Sequence, residues 1–284
     1  MEVLKTADSA RRWRASAAEA PALVPTMGAL HAAHRSLMRR AAAENPLYAV
    51  SIFVNPAQFG PGEDYLSYPR SQEEDIEICR EEGASAVFIP APGEMYPEGF
   101  STRVNIDSLT ETMCGALRPG HFSGVATVVA KLFNLLSPGK AYFGEKDFQQ
   151  LRVVQQMSRD LDFGVEVVPC PTLREDDGLA VSSRNRYLSP GERSRAGWIY
   201  RALEMAGEMV LEGERDGKAI SRELKDLIEK EIPEAEVEYA GVYDPVTLKE
   251  LGSVRIPALA AAAVRLGKAR LIDNILINDD KKKD

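Results

Sequence analysis

Short apolar runs along the chain alternate with stretches in which apolar residues recur every three or four positions. Ala22-Leu23-Val24-Pro25-Thr26 reads as a buried strand, and residues 31–44 as the helix after it, ending before Asn45-Pro46. Residues 47–54 carry Val50, Ile52, Phe53 and Val54, a stronger β signal. Residues 71–82 predict an acidic surface helix stopped at Gly83, and 86–90 another buried strand. Val125, Val128, Val129, Leu132 and Leu136 repeat at helical spacing and give one apolar face, which Pro138-Gly139 ends. A short strand over 140–144, a helix over 146–161 and a strand over 165–168 follow. This alternation predicts an α/β fold, a Rossmann-like parallel sheet covered on both faces. The loops that follow its strands then lie along one edge, where ligands bind.

Past Pro171 the pattern changes. Arg174-Glu175-Asp176-Asp177-Gly178 is a polar turn, and Ser189-Pro190 with Glu192 opens a helix in the order a helix N-terminus prefers. Charged helices over 190–212 and 217–231 precede strand candidates at 237–242, 258–264 and 269–277. Helices followed by successive strands predict a smaller α+β unit. The expected division is 1–172 for the Rossmann-like domain and 173–284 for a small C-terminal domain that covers the site. No internal repeat is visible.

Composition narrows the function classes. With 284 residues the chain has length for about two domains. Its net charge of −8 excludes a general binder of nucleic acid or anionic membrane, which needs a basic surplus. The one basic run, Lys281-Lys282-Lys283, reads as a solvated tail. Cys79, Cys114 and Cys170 are odd in number and far apart, which excludes a disulfide framework or a structural zinc cluster and suits a reducing cytoplasm. The N-terminus shows no signal peptide, and no apolar stretch approaches the roughly 20 residues of a membrane span. The expectation is a soluble cytoplasmic protein.

Two segments carry candidate chemistry. Met27-Gly28-Ala29-Leu30 leads from the first strand into His31-Ala32-Ala33-His34, and residues three apart on a helix share a face. Backbone N–H groups and the helix dipole favour an anion there, and imidazoles can donate to phosphate oxygens. Taken alone, the pair is equally readable as ordinary surface or zinc-binding histidines. Downstream, Ala180-Val181-Ser182-Ser183-Arg184-Asn185-Arg186 offers two hydroxyls and two guanidinium groups able to hold a polyphosphate, or else a plain polar linker.

Together these segments resemble the two signatures, H-x-G-H and K-M-S-K-S, of the nucleotidyltransferase superfamily. Further motifs narrow the resemblance. They are residues 25–31, Phe53-Val54-Asn55-Pro56-Ala57-Gln58-Phe59, residues 118–125 from Arg118 to Val125, residues 142–150 from Tyr142 to Gln150, and Arg270-Leu271-Ile272-Asp273-Asn274. In order and spacing they are similar to the pantothenate synthetase (pantoate–β-alanine ligase) family over essentially the whole chain. The resemblance implies an enzyme that joins pantoate to β-alanine through pantoyl adenylate, with ATP and magnesium, releasing pyrophosphate and AMP. It also implies a homodimer through the larger domain.

By position, the resemblance assigns Met27, Gly28, Ala29, Leu30, His31, Ala32, Ala33 and His34 to ATP, with His34 as the proton donor. Gly144, Glu145, Lys146 and Asp147 form a second ATP segment, with Lys146 on a phosphate and Asp147 on the ribose. Leu173, Val181, Ser182, Ser183 and Arg184 form a third. Gln58 and Gln150 bind pantoate, and Gln58 also lies beside β-alanine. His31, His34 and Lys146 are the catalytic candidates. Arg118 is a candidate partner for the carboxylate of β-alanine or a phosphate. The metal ligands are unknown, although Glu73, Glu74 and Asp75 are candidates for helping to place magnesium. Because a carboxylate is already a nucleophile, positioning and charge neutralisation are the work required.

The chain departs from the family pattern at two positions. Ala33 stands where the family has Gly, which predicts weaker ATP binding, and Val181 stands where Met is usual, with little effect expected. A cytidylyltransferase-like enzyme and a non-catalytic nucleotide-binding module are the alternatives. Gln58 and Gln150 speak against the first, and Ala33 alone hints at the second.

Overall fold

The structure is a computed structural model describing residues 1–279, so the basic run at Lys281-Lys282-Lys283 lies outside the described residues. The chain divides into two compact units. The first comprises 1–111, 115–145 and 149–171, and the second comprises 112–114, 146–148 and the chain from 172 onward.

In the first unit six strands form one sheet: β1 (Glu2–Leu4), β2 (Ala22–Thr26), β3 (Tyr48–Ile52), β4 (Ala86–Phe88), β5 (Lys140–Gly144) and β6 (Glu166–Cys170). Their order is β1-β4-β3-β2-β5-β6, and every neighbouring pair is parallel. From β2 the chain steps outward through β3 and β4, then returns to β5 on the other side of β2. The strand order therefore reverses between β2 and β5, and a crevice at the C-terminal ends of such strands is where parallel α/β sheets bind ligands.

The helices of this unit are α1 (Ala7–Ser16), α2 (Ala32–Glu44), α3 (Gln72–Glu81), α4 (Pro92–Met95), α5 (Met113–Leu117), α6 (His121–Leu136) and α7 (Phe148–Asp160). The first residues of α5 and α7 group with the second unit. Leu37, Met38 and Ala41 of α2 and Ile78 and Cys79 of α3 pack with Val24, Val50 and Val87 of the sheet. α6 is buried almost all round, as a helix apolar on every face must be, and packs against α1 and the 56–58 turn.

The second unit holds α8 (Pro190–Ala196), α9 (Trp198–Glu212) and α10 (Gly217–Glu231), followed by β7 (Glu236–Tyr243), β8 (Ala258–Leu266) and β9 (Ala269–Ile277). The three strands form an antiparallel sheet in sequence order. Ile199, Leu203 and Val210 of α9 and Ile220, Leu224 and Ile228 of α10 share its core with Ala260, Ala262 and Val264 of β8. The α/β sheet and the smaller α+β unit agree with the expected fold class.

Local differences have physical causes. The helix expected over 190–212 is broken at Gly197, where a Cβ would lie 2.8 Å from the Asp177 carbonyl oxygen. The helix expected from 146 opens with a 3-10 turn over Glu145–Asp147. β1 and α1 form no part of the expected pattern. β1 is a three-residue edge strand, too short to show a period.

Candidate functional site

The segment joining β2 to α2 is a tight, internally braced loop. Gly28 and Ala29 have φ of +91° and +52°, so the backbone passes through two left-handed residues. The Thr26 hydroxyl donates to the Ser51 carbonyl at 2.8 Å and accepts from Gly28 N–H at 3.2 Å. A Cβ on Gly28 would lie 2.9 Å from Asp75 Oδ2 and 3.1 Å from Ile52 Cγ2, so glycine is required by space as well as by φ. Asp75, on α3 and 1% exposed, accepts from Ala29 N–H at 2.9 Å and Leu30 N–H at 2.8 Å.

The carboxylate of Asp75 is thus engaged by the loop backbone, while Glu73 and Glu74 lie exposed on α3.

His31 caps α2 and His34 lies in its first turn, where unsatisfied N–H groups and the helix dipole favour an anion. The ring centroids are 4.1 Å apart, and the His31 backbone N–H donates to His34 Nδ1 at 3.3 Å. A nitrogen that accepts carries no hydrogen, so this bond assigns the proton of a neutral His34 ring to Nε2. Ala32 and Ala33 complete the first turn, Ala33 partly buried and Ala32 exposed. A cavity of about 160 Å³, lined by Met27, Gly28, Phe53, Tyr65, Arg70 and Asp75, opens at the same strand ends.

Gln58 sits on the 3-10 turn Pro56–Gln58 that follows β3. Asn55, 1% exposed, donates through Nδ2 to Gln58 Oε1 at 3.0 Å and to the Gly124 carbonyl at 3.1 Å. Its Oδ1 accepts from the Tyr96 hydroxyl at 2.7 Å, where burial first, against weaker opposing contacts, pushes the phenol up to about 12. The amide of Gln58 is thereby oriented, with Oε1 on Asn55 and Nε2 donating to the weakly accepting Met27 sulfur at 3.2 Å. Gly124 lets α6 meet this turn, since a Cβ there would lie 2.2 Å from the Ala57 carbonyl oxygen.

His121 Nδ1 donates to the Gln58 carbonyl at 2.8 Å, and its Nε2 lies 3.1 Å from an Arg118 nitrogen, a pattern that requires Nε2 to accept. The Arg118 guanidinium is paired with an acid of its own chain. It grips Glu63 through two bonds of 2.7 and 2.6 Å. Burial raises the Glu63 carboxyl, but the Arg118 hydrogen bonds and charge outweigh it and hold the group at about 2.

Gly144 closes β5, and Glu145 begins the turn after it. On α7, Gln149 is buried and donates to the Leu109 carbonyl at 2.8 Å, whereas its neighbour Gln150 is partly exposed. The loops bearing His31 and Glu145 thus leave β2 and β5, the two strands that flank the reversal of strand order.

In the second unit, Lys146 Nζ lies 3.8 Å from Asp147 Oδ1. Leu173 and Val181 meet across a small hairpin, the Val181 N–H donating to the Leu173 carbonyl at 2.9 Å beside an antiparallel bridge between Arg174 and Ala180. Ser182 caps the 3-10 turn Ser183–Tyr187 and accepts from Arg184 N–H at 3.3 Å, while Asn185 Nδ2 ties the turn to the Ala180 carbonyl at 3.0 Å. Hydroxyl and guanidinium groups are therefore presented from a turn braced by its own backbone. Among the described residues no three His, Cys, Asp or Glu side chains converge as a metal cage.

A parallel α/β sheet with a histidine-bearing loop and helix N-terminus beside its switch point has the architecture of a nucleotide-binding enzyme. Comparison narrows the class. A family model described as pantoate-beta-alanine ligase matches residues 2–276, and the chain belongs to that family. It is 47% identical over 283 residues to the pantothenate synthetase of Moorella thermoacetica, covering 98% of this chain and 99% of the relative. It is 51% identical over 278 residues to that of Chloroflexus aggregans, covering 98% and 100%. The crystal structure of pantothenate synthetase from Thermus thermophilus superposes with a TM-score of 0.93 at 48% identity, over 98% of this chain and 100% of that one. A pantoate-beta-alanine ligase from Francisella tularensis, complexed with beta-gamma ATP and beta-alanine, superposes with a TM-score of 0.80 at 32% identity, over 97% of each chain.

Proposed function

We propose that this chain is an ATP-dependent ligase that condenses pantoate with β-alanine to form pantothenate. The family match over residues 2–276 is the observation that carries this reading. A pantoate carboxylate oxygen attacks the α-phosphorus of ATP, the bond to the β-phosphate breaks, and pantoyl adenylate and pyrophosphate form. The β-alanine amine then attacks the acyl carbon, AMP departs, and the amine loses its proton.

The residues suit this work. The α2 N-terminus with His31 and His34 offers donors to the phosphates, His34 through Nε2, and the braced backbone of Met27, Gly28, Ala29 and Leu30 lets the nucleotide approach closely. Lys146, Ser182, Ser183 and Arg184 are the further phosphate donors, Asp147 the acceptor for ribose hydroxyls, and Gly144, Glu145, Leu173 and Val181 line the nucleotide. Such fixed donors stabilise the charge that develops in phosphoryl transfer, and removing one costs on the order of 10²-fold in rate. Gln58 donates from Nε2 to pantoate, exchanging the Met27 sulfur for a carboxylate, and Gln150 is the second pantoate ligand. β-Alanine lies beside Gln58.

Magnesium accompanies ATP in this reading. It would be held mainly by phosphate oxygens and water with one or two carboxylates, as is usual for this ion, and no step is routed through it. A homodimer and residence in the cytoplasm rest on the family likeness and on composition.

The test is exchange of labelled pyrophosphate into ATP with pantoate present and β-alanine absent. Pantoate-dependent exchange is expected, and Lys146→Ala should reduce it by on the order of 10²-fold. Exchange that ignores pantoate would contradict the assignment.

A further inference from the structure

Two consecutive buried polar residues interrupt β9, Asp273 at 5% exposure and Asn274 at 8%. Burying such groups is unfavourable unless they are hydrogen-bonded, and here Asp273 is tied to the Arg174 side chain and Asn274 to the Lys146 backbone. Arg174 donates to the two Asp273 oxygens at 2.6 and 3.0 Å and reaches the carbonyls of Gly178 at 3.0 Å and Asn274 at 3.2 Å. Its guanidinium lies 3.8 Å from the centroid of the Tyr200 ring, which leaves it little freedom. Asp273 also accepts from the Asn274 backbone N–H at 2.8 Å. Asn274 Nδ2 in turn donates to the Lys146 carbonyl at 3.0 Å.

We propose that Asn274, anchored by the Arg174–Asp273 pair, is a positioning residue that fixes the backbone of Lys146 and so aims its ammonium group at the nucleotide. Lys146 lies in the three-residue excursion 146–148, between stretches of chain that belong to the other unit. Its carbonyl is held by a side chain from β9, more than a hundred positions downstream. Arg174 sits in the hairpin between Leu173 and Val181, so the same anchor also braces the segment leading to Ser182, Ser183 and Arg184. The side chain of a lysine is long and flexible, and fixing its root reduces the volume its ammonium explores. A displacement of about 1 Å at a reacting group can cost 10²-fold in rate.

This proposal rests on the ligase reading and is tested by a double-mutant cycle in the pyrophosphate-exchange assay on the full chain. Asn274→Asp keeps the shape and removes the donor, and Asn274→Ser is the companion should the first variant not fold, with circular dichroism confirming the folded state. Expected are a fall in exchange turnover of about 10-fold or more, a raised KM for ATP and a pantoate KM unchanged within about 2-fold. In a Lys146→Ala background the same substitution should cost less than about 2-fold, because there is no ammonium left to aim. Equal losses in both backgrounds, or no loss in the unaltered background, would overturn the positioning role while leaving the ligase reading standing. Absence of pantoate-dependent exchange in the unaltered chain would instead overturn the ligase reading, and this proposal with it.

Discussion

Asp75 and Leu30 are 45 positions apart in sequence, yet the buried carboxylate of one accepts the backbone N–H of the other at 2.8 Å. The same carboxylate takes Ala29 N–H at 2.9 Å, so one side chain holds the left-handed turn that precedes the two histidines. Asp75→Ala leaves two buried donors unsatisfied and should cost about 2–5 kcal/mol in denaturant unfolding. Asp75→Asn, which keeps one acceptor, should cost less, and both variants should raise the KM for ATP more than that for pantoate. A stable Asp75→Ala protein with unchanged ATP kinetics would remove the bracing role.

The Asn55 amide fixes Gln58 by occupying its oxygen at 3.0 Å. Asn55→Ala should therefore free the glutamine amide to flip and raise the KM for pantoate by about 10-fold, comparable to losing one charge-assisted hydrogen bond of roughly 1.5 kcal/mol. The ATP KM should change by less than half as much in logarithmic terms. Steady-state kinetics with each substrate varied in turn read this directly.

Glu63 and Arg118 form a pair whose acid sensitivity has a defined sign. The folded carboxyl titrates at about 2, below its ordinary value of 4.5, so the pair contributes stability that is fully present above about pH 4.5. That contribution is lost as pH falls through about 2. Unfolding free energies of the unaltered chain and Glu63→Gln should differ at neutral pH and converge as pH approaches 2. A difference that stays constant with pH would contradict the pairing.

Ala33 lies in the first turn of α2 and carries a methyl group at the position where the H-x-G-H pattern expects glycine. Ala33→Gly should lower the KM for ATP several-fold at a cost of about 0.5–1 kcal/mol in stability, the usual penalty of glycine in a helix. An unchanged KM would show that the methyl is tolerated.

Much of the architecture was legible in the chain because strand and helix periods alternate cleanly from Ala22 to Val168. The loop after β2 is legible because Gly28 and the histidines follow directly on the strand Ala22–Thr26. Asp75 was harder, since in Glu73-Glu74-Asp75 three acids look alike by composition. The available signal was spacing, because residues 75, 78 and 79 share the face that carries buried Ile78 and Cys79. The pairing of Arg118 is not legible because its partner Glu63 lies 55 residues away, and no local pattern reports such a pair. The role of Asn274 depends on a contact with a carbonyl 128 positions upstream, which only the fold can supply.

The most direct test of the central claim follows all products from ATP, pantoate and β-alanine in a single reaction. Pantothenate, AMP and pyrophosphate should appear in equal amounts, with AMP formation requiring both carboxylic-acid substrates. AMP or ADP formed without pantoate, or no AMP with all three substrates present, would contradict the ligase account.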